Sequence, residues 1–237
     1  MTPPDPPSLP QPPADRPAPG LRQLWPLWLL VALTCLPEIV LELADSGIVG
    51  STRWRPLAYQ NGAFWAGLLR DWQPNFDAQP WTMFATYALL HVGFEHLLGN
   101  MLVLVWLGLL LWPDTGAARF LALYAGAVMG GALAFATLNQ GASPMVGASG
   151  AVFGLAAAAI VQHWQRRRRP PAGPGGHGAG LLRASFEAIG LALGLVALNM
   201  ASGWVQGAPV AWQTHLGGAL AGAVLGLLLI PWTPARR

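Results

Sequence analysis

Apolar residues run through this chain in long blocks: 24–43, 85–112, 119–138, 149–165, 181–200 and 210–230. Crossing the roughly 30 Å hydrocarbon core of a bilayer takes about 20 mostly apolar residues in helical form. The pattern therefore predicts an all-α membrane protein, a bundle of six transmembrane helices formed by residues 21–237. Ahead of it, residues 1–20 are crowded with proline and carry no apolar face, which predicts a disordered, polyproline-like cytoplasmic tail acting as a solvated tether. No positive region precedes the first apolar block and no small-residue cleavage site clearly follows it, so a signal peptide is not expected.

Between the first two blocks, residues 44–84 are too broken to span and too aromatic for plain solvent, with Trp54, Phe64, Trp65, Leu68, Leu69 and Trp72. This loop is expected in the outer interface, partly as a short amphipathic helix. Pro26 and Pro37 are candidate kinks in the first span. Gly126/Gly130, Gly150/Gly154, Gly190/Gly194 and Gly218/Gly222/Gly226 offer small-xxx-small faces for close helix packing.

Composition supports the membrane reading, because 54% hydrophobic and 10% charged residues cannot cover a soluble globule with polar surface. All 13 basic residues are arginine, clustered at a few places, so the net charge of +3 reads as topology signals and not as a nucleic-acid footprint. Arg119, Arg166 to Arg169, Arg183, Arg236 and Arg237 all fall on the side of the N terminus if the chain crosses six times, which puts both termini in the cytoplasm. Arg53, Arg55 and Arg70 in the first loop run against this, offset by Asp45, Asp71 and Asp77. The all-arginine, Ala- and Gly-rich usage and the compact six-span plan fit a bacterial inner membrane. A single cysteine, Cys35, excludes an intrachain disulfide and reads as packing.

Polar and ionisable groups inside membrane segments are costly and are functional candidates by default. His91, Glu95, His96 and Asn100 fall in the second block, Ser149 opens the fourth within Gly147-Ala148-Ser149-Gly150, and His215 lies near the start of the sixth. With the predicted topology all of these lie in the outer half of the bilayer. Ser149 alone reads equally as a helix cap or small packing residue. At a helix start it would also have unsatisfied backbone N–H groups around it, able to stabilise an oxyanion, with Gly147 and Gly150 letting a substrate backbone approach. A serine needs a base, and His215 is of the right type, though it too could be a packing residue beside Trp212. His96 and Asn100 are one turn apart and face the same way, whereas His91, five residues from His96, is turned by about 140° on a helix and is not expected to join them. No acid is obviously placed to orient His215, so a dyad is expected. The histidine spacing is weak for a metal site, and neither metal nor cofactor is expected.

The stretch from His91 through Glu95-His96 to Asn100, the Gly147-Ala148-Ser149-Gly150 motif and His215-Leu216-Gly217-Gly218 with Gly222 resemble, in order and on the right spans, the three signatures of the rhomboid intramembrane serine proteases. The resemblance implies a six-helix bundle with a water-accessible cavity, Ser149 as nucleophile, His215 as general base, His96 and Asn100 as oxyanion-hole side chains, and His91 in a structural role. It implies a serine endopeptidase acting in or near transmembrane segments of other membrane proteins that unwind at small residues. Two departures stand out. Where the family has a Trp-Arg pair in the first loop, Trp81 is followed by Thr82; and where many members have a tyrosine one turn after the serine, this chain has Phe153, which keeps the ring and loses the hydroxyl. A non-catalytic relative that binds membrane clients and a small transporter are the competing classes. The first generally lacks the serine or histidine, and the second calls for internal repeats and broken midplane helices, which the sequence does not show.

Overall fold

The computed structural model describes residues 20–168, 176–206 and 211–231. The proline-rich tail up to residue 19 and Arg169, Arg236 and Arg237 lie outside the described residues. Helices α1 (Trp25–Asp45), α2 (Trp54–Gly62), α3 (Gln79–Thr86), α4 (Gly93–Leu138), α5 (Ser149–Arg167), α6 (Gly176–Gln206) and α7 (Trp212–Leu229) make up the fold, with no strand among the described residues.

Helix α4 is two spans joined end to end. At Gly116 the backbone takes φ 63° and ψ −177°, a conformation essentially reserved for glycine, and Pro113 stands just before it. Two arms, residues 93–115 and 117–138, result. By length and apolar character Arg22–Asp45, Gly93–Leu138, Gly180–Ala197 and Trp212–Leu229 are each long enough to cross a membrane. Helix α5, 19 residues ending in arginines, is less apolar because it is the enclosed central helix, with Gly150, Ala151, Val152, Gly154, Leu155, Ala157 and Ala158 all buried. Counting α4 twice, the six predicted spans are present. Helix α1 runs unbroken through Pro37, and Pro26 occupies its first turn, where a missing N–H costs no helix bond.

Small residues set the spacing of the inner helices. A Cβ on Gly218 would collide with the Gly150 carbonyl and one on Gly222 with that of Gly154, so α5 and α7 touch backbone to backbone. On the second arm of α4, Gly130 likewise faces the Gly217 carbonyl of α7, while Gly126 makes room for the Leu225 side chain. Gly190 and Gly194, expected as another such face, have nothing within 4 Å. Helix α6 meets α5 through Ser185 and Glu187, and leaves Phe186, Leu193 and Val196 exposed.

One expectation needs correction. The second span does not begin at residue 85: α3 and a 3-10 turn, Tyr87–Leu89, fill that stretch, and the chain turns at residues 90–92 before α4 starts. The first loop carries a short helix, α2, and is in addition anchored to the bundle. Phe64 is fully buried, edge-on to Phe84, Tyr87 and Phe135 at 4.9, 6.1 and 5.9 Å. Its backbone pairs with Met145 by two hydrogen bonds of 2.9 and 3.0 Å, the isolated antiparallel bridge of the molecule's described residues. Arg70 donates to the Asn139 carbonyl at 2.6 Å and Thr86 to that of Gly62 at 2.7 Å. The loop is thereby fastened to the segment that leads into Ser149.

Candidate active site

Helix α5 starts at Ser149, and α7 brings His215 alongside because the glycine contacts let the two axes approach. His215 Nε2 and Ser149 Oγ are 2.8 Å apart, a direct hydrogen bond. The Phe153 ring lies flat on the His215 imidazole, centroids 4.1 Å apart and planes within 4°. Stacking leaves the imidazole little freedom to rotate. His215 is 6% exposed, while Ser149 is half-buried and reachable.

Gly147 has φ +123°, open to glycine and strained for other residues, and it makes room for His96: a Cβ there would lie 2.8 and 3.1 Å from His96 Cε1 and Nε2 and 3.8 Å from Ser149 Oγ. His96 Nε2 and Ser149 Oγ therefore flank one point. The Val92 N–H donates to His96 Nδ1 at 3.3 Å, which leaves the proton of a neutral His96 on Nε2, facing the serine. Asn100 is buried, and its amide nitrogen donates to the His96 carbonyl at 3.1 Å. Glu95 is exposed.

Helical geometry was the wrong guide for His91, because it precedes α4. Its ring is edge-on to His96 at 5.1 Å and fully buried, and its Nε2 accepts the Ala148 N–H at 3.3 Å. His91 thus joins the site by holding the residue before Ser149. Gly147 and Gly150 are not open approaches for a substrate backbone: His96 occupies the space at the first, and a Cβ at Gly150 would meet Thr214 Cγ2 at 2.6 Å.

Sequence reasoning missed an arginine-centred cluster. Glu38, Glu42 and Asp45 recur on one face of α1, and all three reach Arg55 of α2, at 2.7, 3.2 and 2.5 Å. Glu38 is fully buried. Burial pulls the Arg55 pKa down, but hydrogen bonds to Asp45, Tyr59 and Glu38 outweigh it and hold the guanidinium charged. Burial also raises the Tyr59 phenol above its ordinary value despite Arg55, so the hydroxyl remains a donor. The Arg55 charge is thus matched by acids of α1. The findable signal was an ionisable Glu38 inside an apolar block with acids four and seven residues on.

At the other end of the bundle Arg166 pairs with Asp114, Gln162 donates to Asp114 at 2.7 Å, and Glu187 takes Arg167, Arg183 and His163 at 3.1, 2.9 and 2.8 Å. Arg166, Arg167 and Arg183 thus stand at the opposite end of the bundle from the candidate site residues.

An all-helical integral membrane protein with a Ser–His pair between two closely packed spans is the class that this fold and site define. The chain belongs to the rhomboid family: the model of the Rhomboid domain matches residues 77–232, more than half of it. It is similar to Rhomboid-related protein 3 of Homo sapiens, 28% identical over 173 residues, which cover 67% of this chain and 39% of that protein. For Rhomboid-related protein 3 of Mus musculus the figures are 28% over 224 residues, 86% and 49%. RHOMBOID-like protein 5 of Arabidopsis thaliana is 32% identical over 145 residues, 60% of this chain and 41% of that protein. The chain spans less than half the length of these three relatives.

Proposed function

We propose that the chain is an intramembrane serine endopeptidase that cleaves peptide bonds in or near transmembrane segments of single-span and other membrane proteins. The observation that carries this is the 2.8 Å contact between Ser149 Oγ and His215 Nε2 at a helix start. In the proposed reaction His215 accepts the Ser149 proton as Oγ attacks the substrate carbonyl, then delivers it to the leaving amine. The developing oxyanion is met by the Ser149 N–H, in the first turn of α5 where no intrahelical acceptor exists, and by the His96 Nε2–H. Asn100 spends one amide hydrogen on the His96 carbonyl, which leaves its second for the oxyanion. Water then cleaves the acyl-enzyme along the same proton route. Family membership and the stacked Phe153–His215 pair support the reading.

The end with Arg166, Arg167 and Arg183 is proposed to face the cytoplasm with both termini, by the positive-inside bias. The site then opens on the outer face, in a bacterial inner membrane. The test is cleavage of a single-span reporter by detergent-solubilised protein, with fluorophosphonate labelling alongside. Wild type is expected to cleave and label, Ser149→Ala and His215→Ala to do neither. Full activity of Ser149→Ala refutes the assignment; absence of both cleavage and labelling in wild type favours a client-binding protein.

A further inference from the structure

The cluster on the first loop reaches the candidate site through a continuous series of contacts. Arg55 is locked by three carboxylates of α1, and its Nη1 also lies 3.3 Å from the His91 carbonyl. The Tyr59 hydroxyl, one turn later on α2, donates to that same carbonyl at 2.5 Å. His91 in turn accepts the Ala148 N–H on its ring. A main-chain oxygen held from one side and an imidazole engaged on the other fix both ends of this residue. The next residue after Ala148 is Ser149.

A purely structural loop anchor would not need this convergence. Phe64, the Met145 bridge and Arg70 already fasten the loop, and none of them touches His91 in the contacts described above. Turns that no helix stabilises, such as residues 90–92, wander unless their carbonyls are satisfied. An Arg and a Tyr both spent on one such carbonyl select a single setting of the imidazole.

We propose that Arg55 and Tyr59 are positioning residues: through the His91 carbonyl they set the His91 ring against the Ala148 N–H and so fix the backbone from which Ser149 projects. This rests on the protease reading only for its effect on rate; the positioning itself is a statement about Ala148. Arg55 supplies the rigid reference, since a guanidinium whose three nitrogens are each held by a different carboxylate, Glu38, Glu42 and Asp45, cannot move without breaking an ion pair to the buried Glu38. Tyr59 supplies the shorter contact.

Tyr59→Phe deletes the hydroxyl and keeps the ring, so it is the variant of choice; Arg55→Lys keeps the charge and loses the fork. Two readouts are taken on the full chain in detergent. One is amide exchange in the peptide containing Ala148, the other kcat and KM on the single-span reporter. For Tyr59→Phe, exchange at Ala148 is expected to rise about fivefold, and kcat to fall by a similar factor with KM unchanged, the worth of one hydrogen bond. His91→Ala should abolish the distinction, with His91→Ala/Tyr59→Phe no slower than His91→Ala. Arg55→Lys should fall in the same direction. Unchanged exchange at Ala148 in Tyr59→Phe overturns the proposal whatever the activity, and faster exchange with wild-type kcat overturns its link to the reaction. Should wild type neither cleave nor label, the protease reading fails while the exchange result still decides the positioning.

Discussion

Replacing Gly218 by alanine tests whether helix spacing sets the reactive pair. Gly218 is less than a turn beyond His215, and a Cβ there would land on the carbonyl of Gly150, the residue after Ser149. Restoring ordinary contact, about 3.5 Å between such atoms, requires α5 and α7 to part by about 1.5 Å, because the Gly150 carbonyl and the new Cβ are both fixed to backbone and neither can rotate away. Overpacking of this kind costs about 1–3 kcal/mol of stability. A displacement of that size between reacting groups costs about 100-fold in rate. Gly226 is the internal control, since a Cβ there would meet Ala158 Cα and Cβ at 3.1 and 3.3 Å and needs only a slight shift, far from the pair. The assay is the initial rate of reporter cleavage together with the rate of fluorophosphonate labelling, read beside the melting temperature in detergent. Gly218→Ala should fall about 100-fold in both rates while Gly226→Ala stays within about threefold. Equal rates for the two variants, both folded, would refute the reasoning that backbone contact positions Ser149 against His215.

Phe153→Tyr should retain activity within about threefold and Phe153→Ala should lose about tenfold, since the ring stacked on His215 is what the site uses and its packing is worth about 1 kcal/mol beyond area; equal kcat for wild type and the alanine variant counts against it. Phe64→Ala should lower stability by about 3–5 kcal/mol, because a fully buried ring leaves a cavity between the first loop and the bundle. Denaturant or thermal unfolding in detergent checks this, and a shift below 1 kcal/mol would mean that the loop is not anchored there.

Most of the fold was legible because a bilayer demands long apolar blocks, and most of the site was legible because polar residues inside such blocks stand out. Ser149 and His215 are 66 residues apart in sequence and lie in hydrogen-bond contact. What failed to show was tertiary. Gly190/Gly194 and Gly218/Gly222 carry the same spacing, yet one pair faces open space and the other a neighbouring backbone. Phe64 reads as interfacial by hydrophobicity alone, and only its partners Phe84, Tyr87 and Phe135 make it core. Arg55 reads from the sequence as a charge against the topology, and only the fold brings Glu38, Glu42 and Asp45 around it. Helical angles do not apply to His91, which stands ahead of α4.

The candidate nucleophile and its base arrive on different helices, with α7 the last of the described elements to be made. At about 5–20 residues per second of synthesis, roughly 3–13 s separate the emergence of Ser149 from that of His215. During that interval Ser149 is an ordinary hydroxyl at a helix start, with no base beside it. On the proposed reading, order of translation thus serves as a built-in delay: Ser149 gains a base only when α7 slots in against the glycines of α5.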